Sequence, residues 1–115
     1  MTVTIVWWDL ADSAATIESL EQDMRSSIDA WYEVEGLRVK LWIADRENNR
    51  WGAVMWWAPD RPADRPRPPN RAAELIGRPP THRTQFEVVA TAEGNHSRNP
   101  RPSSLTDYPE RNQHA

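Results

Sequence analysis

The chain has 115 residues, a formal charge of −3 at pH 7, ten prolines, seven tryptophans and no cysteine. That length suits one domain of roughly 100 residues. The missing cysteines exclude disulfides, thiolate catalysis, zinc-thiolate sites and iron-sulfur clusters, and the acidic balance gives no long-range attraction for nucleic acid or anionic lipid. The segment from Met1 to Trp8 lacks the basic flank of a signal peptide, and no apolar run approaches the ~20 residues that span a bilayer. A cytoplasmic protein with neither nucleic acid nor membrane as partner is expected.

Taken in chain order, Thr2 to Asp9 is rich in β-branched and aromatic residues, with Val3, Ile5 and Trp7 on one face and Val6 and Trp8 on the other. A strand apolar on both faces is expected to be covered on both. From about Ser13 to Val34 the spacing of Ile17, Leu20, Met24, Ile28 and Trp31 predicts an amphipathic helix. Asp12 or Ser13 can cap its start, Glu18 and Glu21 suit the positive end of its dipole, and Gly36 can end it in a left-handed conformation. Leu37 to Ala44 and Arg50 to Trp57 then alternate as strands around the polar turn Asp45-Arg46-Glu47-Asn48-Asn49, which predicts an antiparallel hairpin.

Seven prolines between Pro59 and Pro80 break the pattern, leaving only Asn70 to Ile76 able to turn helical, with Asn70 as cap and Gly77 as stop. Thr84 to Ala92 reads as the last strand. After Gly94 the apolar residues are too few to offset the entropy of ordering the chain, so residues 95–115 are predicted to be a disordered tail.

The order β, α, β, β, short α, β over residues 1–94 predicts an α+β, ferredoxin-like domain with an antiparallel sheet, in which 59–80 forms a Pro/Arg-rich loop. Such a sheet has helices on one face only. A bare face carrying valine, isoleucine and tryptophan needs cover, and a second copy can supply it, so a homodimer is expected.

Lys40 is the only lysine beside thirteen arginines, and it lies inside an apolar strand. Strict alternation places Arg38, Lys40 and Trp42 on one face, with the ammonium and the indole ~7 Å apart along the strand. A lysine enclosed by apolar groups loses affinity for its proton and can act as a base, a Schiff-base amine or a stabiliser of an enolate. The plain alternative is a surface lysine paired with a carboxylate such as Glu87. Trp7 and Trp8 must point to opposite faces, as must Trp56 and Trp57, so one of each pair can line a pocket for a flat, hydrophobic ligand while the other packs. His82, beside Arg83 ahead of the last strand, can move protons near neutrality, or can simply be an exposed loop histidine. Arg61, Arg65, Arg67, Arg71, Arg78 and Arg83 make the Pro-rich stretch basic, and one of them could clamp a carboxylate or phenolate. No grouping offers three metal ligands, and the four glycines form no nucleotide-binding loop, so neither metal nor cofactor is expected.

The hairpin Gly36-Leu37-Arg38-Val39-Lys40-Leu41-Trp42, followed by Trp51-Gly52-Ala53-Val54-Met55-Trp56-Trp57, resembles the mono-oxygenase family of the dimeric α+β barrel superfamily, which shows Gly-x-x-x-Lys-x-Trp there and a Gly-containing aromatic strand after it. That superfamily includes the antibiotic-biosynthesis monooxygenases, with decarboxylases, cyclases and isomerases. The resemblance spans about Val3 to Gly94. It implies a homodimeric barrel with a pocket between sheet and helices in each subunit, and cofactor-free chemistry on a small aromatic or polyketide-like substrate. Oxygenation is the first expectation, with cyclisation or isomerisation using the same parts. Lys40 and His82 are then the catalytic candidates, and Trp42, Trp7, Trp8, Trp56, Arg38 and Arg83 the substrate-binding ones. A ligand-binding or assembly homodimer without catalysis is the rival reading. The Pro/Arg-rich segment stands where the family has a longer second helix, so the pocket lid is expected to differ.

Overall fold

Every other residue of the first strand, β1 (Thr2–Asp9), is driven inward by its side chain, and Thr4, Val6 and Trp8 are buried. A computed structural model describes residues 1–59 and 67–96 of the chain. The element order is β1, α1 (Ile17–Ser27) running into a short 3-10 turn (Ile28–Trp31), β2 (Leu37–Asp45), β3 (Arg50–Trp57), α2 (Arg71–Ile76) and β4 (His82–Glu87). The four strands form one antiparallel sheet in the order β2-β3-β1-β4. With both helices, the architecture is α+β and compatible with a ferredoxin-like fold. The expectations for the tail over 97–115 and for 60–66 of the Pro/Arg-rich loop lie outside the described residues.

One face of the sheet holds the core. Val6 and Trp8 of β1 lie opposite Ala53 and Trp51 of β3, and Leu20 and Ile17 of α1 close over them together with Ile76 of α2. The other face carries Val3, Ile5 and Trp7, which are only partly buried, beside the exposed Leu41 and Phe86. The expectation that β1 is covered on both faces is therefore met on one side only within a protomer.

The first helix is shorter than its apolar spacing predicts. Asp12 adopts φ +64°, the Ser13 amide donates to the Leu10 carbonyl, and Ser13 Oγ accepts from the Ala15 amide. These short-range bonds hold 10–15 in turns, since serine and aspartate side chains compete with helical hydrogen bonding. The cap is Thr16, not Asp12 or Ser13. Its Oγ1 accepts from the Ser19 amide at 3.0 Å while Ser19 Oγ accepts from the Thr16 amide at 2.9 Å, a reciprocal box that satisfies two otherwise orphaned donors. At the other end, Ser26 and Ser27 both donate back to the Asp23 carbonyl, and the helix tightens into the 3-10 turn that carries Trp31.

The β2–β3 hairpin turns as its sequence predicts. Asp45 accepts from the Asn48 amide and from Asn48 Nδ2, which holds its carboxyl below the usual range, and Asn49 takes φ +56°. The second helix follows the sequence closely, with Asn70 Oδ1 accepting from the Ala73 amide and Gly77 in the left-handed region at φ +84°. The last strand departs from expectation. It begins at His82 and ends at Glu87, because Thr84 pairs with Ile5 and the partner strand runs out at Thr2. Val89 is exposed beyond it.

Candidate functional site

A β-bulge decides what reaches the covered face of β2. Leu37 pairs with Trp57 and Val39 with Trp56, so Arg38 and Val39 together oppose a single residue. Leu37 points inward, both residues of the bulge point outward, and Lys40 points inward opposite Met55. The expectation that Arg38 shares a face with Lys40 and Trp42 is thus corrected. The Arg38 guanidinium lies 5.1 Å from the centroid of Trp56, on the open face.

Lys40 Nζ sits 3.3 Å from the ring centroid of Trp31 and 4.7 Å from that of Trp42. The two indoles meet edge to face, with centroids 6.4 Å apart and planes at 82°. Among the described residues no carboxylate or hydrogen-bond acceptor pairs with this amine, and Glu87, on the far edge strand, does not reach it. Burial pushes its pKa down to about 8, and the positive charge of Arg67 adds to the shift. The π faces beneath it favour the charged form and oppose that trend. At a pKa of about 8, roughly one amine in ten is neutral at pH 7.

The amine faces a cavity of about 120 Å³ between the sheet and the helical layer. Val6 and Met55 form part of its floor, Leu20 and Met24 of α1 its wall, and Arg67 and Pro68 the side towards solvent. An engineered cavity of ~150 Å³ accepts a benzene ring, so a space of this size, open towards solvent, is of the order that one six-membered ring needs. At that rim Arg71 holds Asp23 with two bonds, Nη2 to Oδ1 at 2.8 Å and Nε to Oδ2 at 3.3 Å, and also reaches Glu74 at 3.1 Å. Arg67 stands over the Trp57 ring at 5.1 Å.

Of the residues singled out from sequence, the structure brings Lys40, Trp42, Trp8 and Arg83 to this cavity. Trp8 acts there as packing, being 2% exposed, with its indole N–H donated to the Arg78 carbonyl at 2.9 Å. Trp7, Trp56, Arg38 and His82 lie on the opposite face of the sheet. His82 is a strand residue opposite Trp7, not a loop residue, and it stacks on that indole at 5.6 Å while its Nε2 meets Thr84 Oγ1 at 2.7 Å. Arg50 lies 4.5 Å from the same Trp7 ring. Lys40 and His82 therefore lie on opposite faces of the sheet and do not share one site.

Two contributors were not legible beforehand. Trp31 reads from sequence as helix core more than pocket, and the structure places it, at the end of the 3-10 turn, against Lys40. Arg67 is one of six similar arginines in a Pro-rich stretch, with nothing local to distinguish it. Among the described residues no group of three metal-ligating side chains occurs, and no helix is long and apolar enough to cross a membrane. No protein-family model matches the chain, and no curated protein matches it. The likeness to the α+β barrel mono-oxygenases rests on the hairpin residues alone.

Proposed function

We propose that the protein is a cofactor-independent enzyme acting on a small aromatic substrate, built as a homodimer of ferredoxin-like protomers in the manner of the dimeric α+β barrels. The observation that carries this reading is the Lys40 amine, seated on two indoles inside a ring-sized cavity with no carboxylate partner among the described residues. The neutral fraction of such an amine can take a proton from an acidic O–H or C–H of the substrate. In doing so it becomes the ammonium that stabilises the resulting phenolate or enolate. In oxygenation, dioxygen accepts the electron pair at the activated carbon, and loss of water from the hydroperoxide leaves a carbonyl. In cyclisation or isomerisation, the proton returns at another atom and the cavity's contribution is to hold one conformation.

Support for the homodimer comes from the open sheet face. Leu41 and Phe86 are 54% and 56% exposed, and they flank Val3, Ile5 and Val54 on one continuous surface. A patch of this kind on a chain of 115 residues calls for cover.

The placement of His82 favours the second reading, a ligand-binding dimer without turnover, because among the described residues it leaves Lys40 as the cavity's one proton-transfer group apart from the ion-paired Asp23. Oxygen uptake and product mass spectrometry with monocyclic phenols and benzoates separate the two. Catalysis predicts turnover that rises with pH and levels off above about pH 8, and a loss on the order of 100-fold or more in Lys40→Met. Binding without turnover favours the second reading, and turnover unchanged by Lys40→Met excludes the proposed role of the amine.

A further inference from the structure

The sign of the charge around the cavity carries more information than its shape. The chain as a whole is acidic, yet among the described residues the cavity lining holds Lys40, Arg67, Arg71 and Arg83 against a single carboxylate, Asp23. Arg71 already occupies both oxygens of that carboxylate. Among the described residues Lys40, Arg67 and Arg83 have no carboxylate partner. Indole faces cover part of the Lys40 ammonium and part of the Arg67 guanidinium, but a π face satisfies none of the in-plane N–H donors of a guanidinium and only one side of an ammonium. Arg67 and Arg83 are exposed, so water meets their donors in the free protein, but the partly buried Lys40 ammonium is short of an acceptor.

A cationic ligand is repelled by this lining, and a neutral one leaves the excess charge uncompensated. An inorganic anion meets the charge but makes no use of the apolar wall that Met24 forms with the buried Leu20 and Val6. We infer that the cavity is built for a monocyclic aromatic carboxylate, its ring against the apolar wall and its planar oxyanion received by Lys40 and Arg67. The inference rests on the reading of this cavity as a ligand site and names the class of ligand within it. A planar carboxylate matches the guanidinium fork, and the ammonium supplies a further donor of the same sign. Such a ligand gives Lys40 a counter-charge, so binding draws a proton onto the neutral fraction of the amine. Lys40 then serves a carboxylate as the ammonium that holds it and not as a base, which favours the binding reading for this class of ligand.

The test is isothermal titration calorimetry of the full chain with benzoate, with its neutral isostere benzamide, and with acetate, an oxyanion without a ring. Benzoate is expected to bind saturably, benzamide at least tenfold more weakly, and acetate at least tenfold more weakly again. At pH 8, titrations in buffers of different ionisation enthalpy are expected to show uptake of up to about half a proton with benzoate and none with benzamide. Lys40→Met and Arg67→Gln should each weaken benzoate about tenfold while leaving benzamide unchanged. Arg67 is exposed, so its variant reports on the site even if the Lys40 variant fails to fold. Equal affinity for benzoate and benzamide overturns the carboxylate while leaving an aromatic site standing. Equal affinity for benzoate and acetate reduces the site to a charged patch and also overturns it. If none of the three binds, the ligand-site reading falls with it.

Discussion

The two faces of the sheet place cations on indoles in different ways. On the covered face a lysine, partly buried and holding its proton loosely, stands on indoles, with one guanidinium, Arg67 over Trp57, on the solvent side. On the open face the cations are arginines, Arg38 over Trp56 and Arg50 over Trp7, and a guanidinium keeps its proton at any ordinary pH. The same residue pairing thus gives a group able to exchange protons on one side and a fixed positive, flat surface on the other. On the proposed reading, chemistry belongs to the face where the charge is enclosed, and contact with another surface to the face where it is not.

The largest test of this contrast is a pair of truncations. Trp8→Ala removes a buried indole and its bond to the Arg78 carbonyl, and should cost about 3–5 kcal/mol in urea unfolding. Trp7→Ala, one residue away on the half-covered face, should cost no more than about 1–2 kcal/mol. Equal losses would mean that the open face is as well packed as the core.

Gly52 joins the two faces, because a Cβ there meets the Val6 carbonyl oxygen and comes within 2.7 Å of Trp7 Cβ. Gly52→Ala must therefore shift β1 against β3. The expected loss is about 1–3 kcal/mol, read from the same unfolding curves, and an unchanged midpoint would show that β1 can move away freely.

Lys40→Met comes next, with a gain instead of a loss. Folding lowers the pKa of this amine from 10.5 to about 8, so holding its charge in place at pH 7 costs on the order of 3 kcal/mol, of which contact with the indoles offsets about 1–2. The variant should be about 1–2 kcal/mol more stable than the natural chain at pH 7. Between pH 8 and 10.5 the unfolded chain binds more protons than the folded one, so the natural chain gains stability as pH rises and the difference narrows. A gap that stays constant from pH 7 to 10 would place the amine in water.

The smallest expected change in protomer stability, within about 0.5 kcal/mol, belongs to Leu41→Glu on the open face. Its readout is assembly. Light scattering behind size exclusion should give a dimer for the natural chain and a monomer for this variant. A natural chain that is monomeric at high concentration removes the proposed dimer.

Local patterning made much of this legible. The β1 and β3 boundaries, the hairpin turn and the second helix with its Asn70 cap and Gly77 stop all follow from side-chain preferences that act over a few residues. Lys40 and Trp42 were also recognisable, since an isolated cation inside an apolar strand has few uses. What escaped depends on contacts distant in sequence or on competition between hydrogen bonds. Serine and threonine side chains shortened the first helix. The pairing of β4 with β1 drew His82 into the sheet and onto the wrong face for a role beside Lys40. Arg38 was misplaced because alternation has no memory of an inserted residue.

That insertion has a consequence for how β2 can change. Excising Arg38 would seat Val39 directly beside Leu37, restoring even in-out phase without moving Lys40 or Trp42 from their side of the ladder. Removing any one residue from Lys40 to Trp42 would instead invert the phase between that point and its neighbours. The strand thus contains one insertion, the Arg38-Val39 pair, where either codon can be lost without disturbing the inward-facing amine, and from Lys40 to Trp42 a stretch where the reading of inside and outside tolerates no such loss.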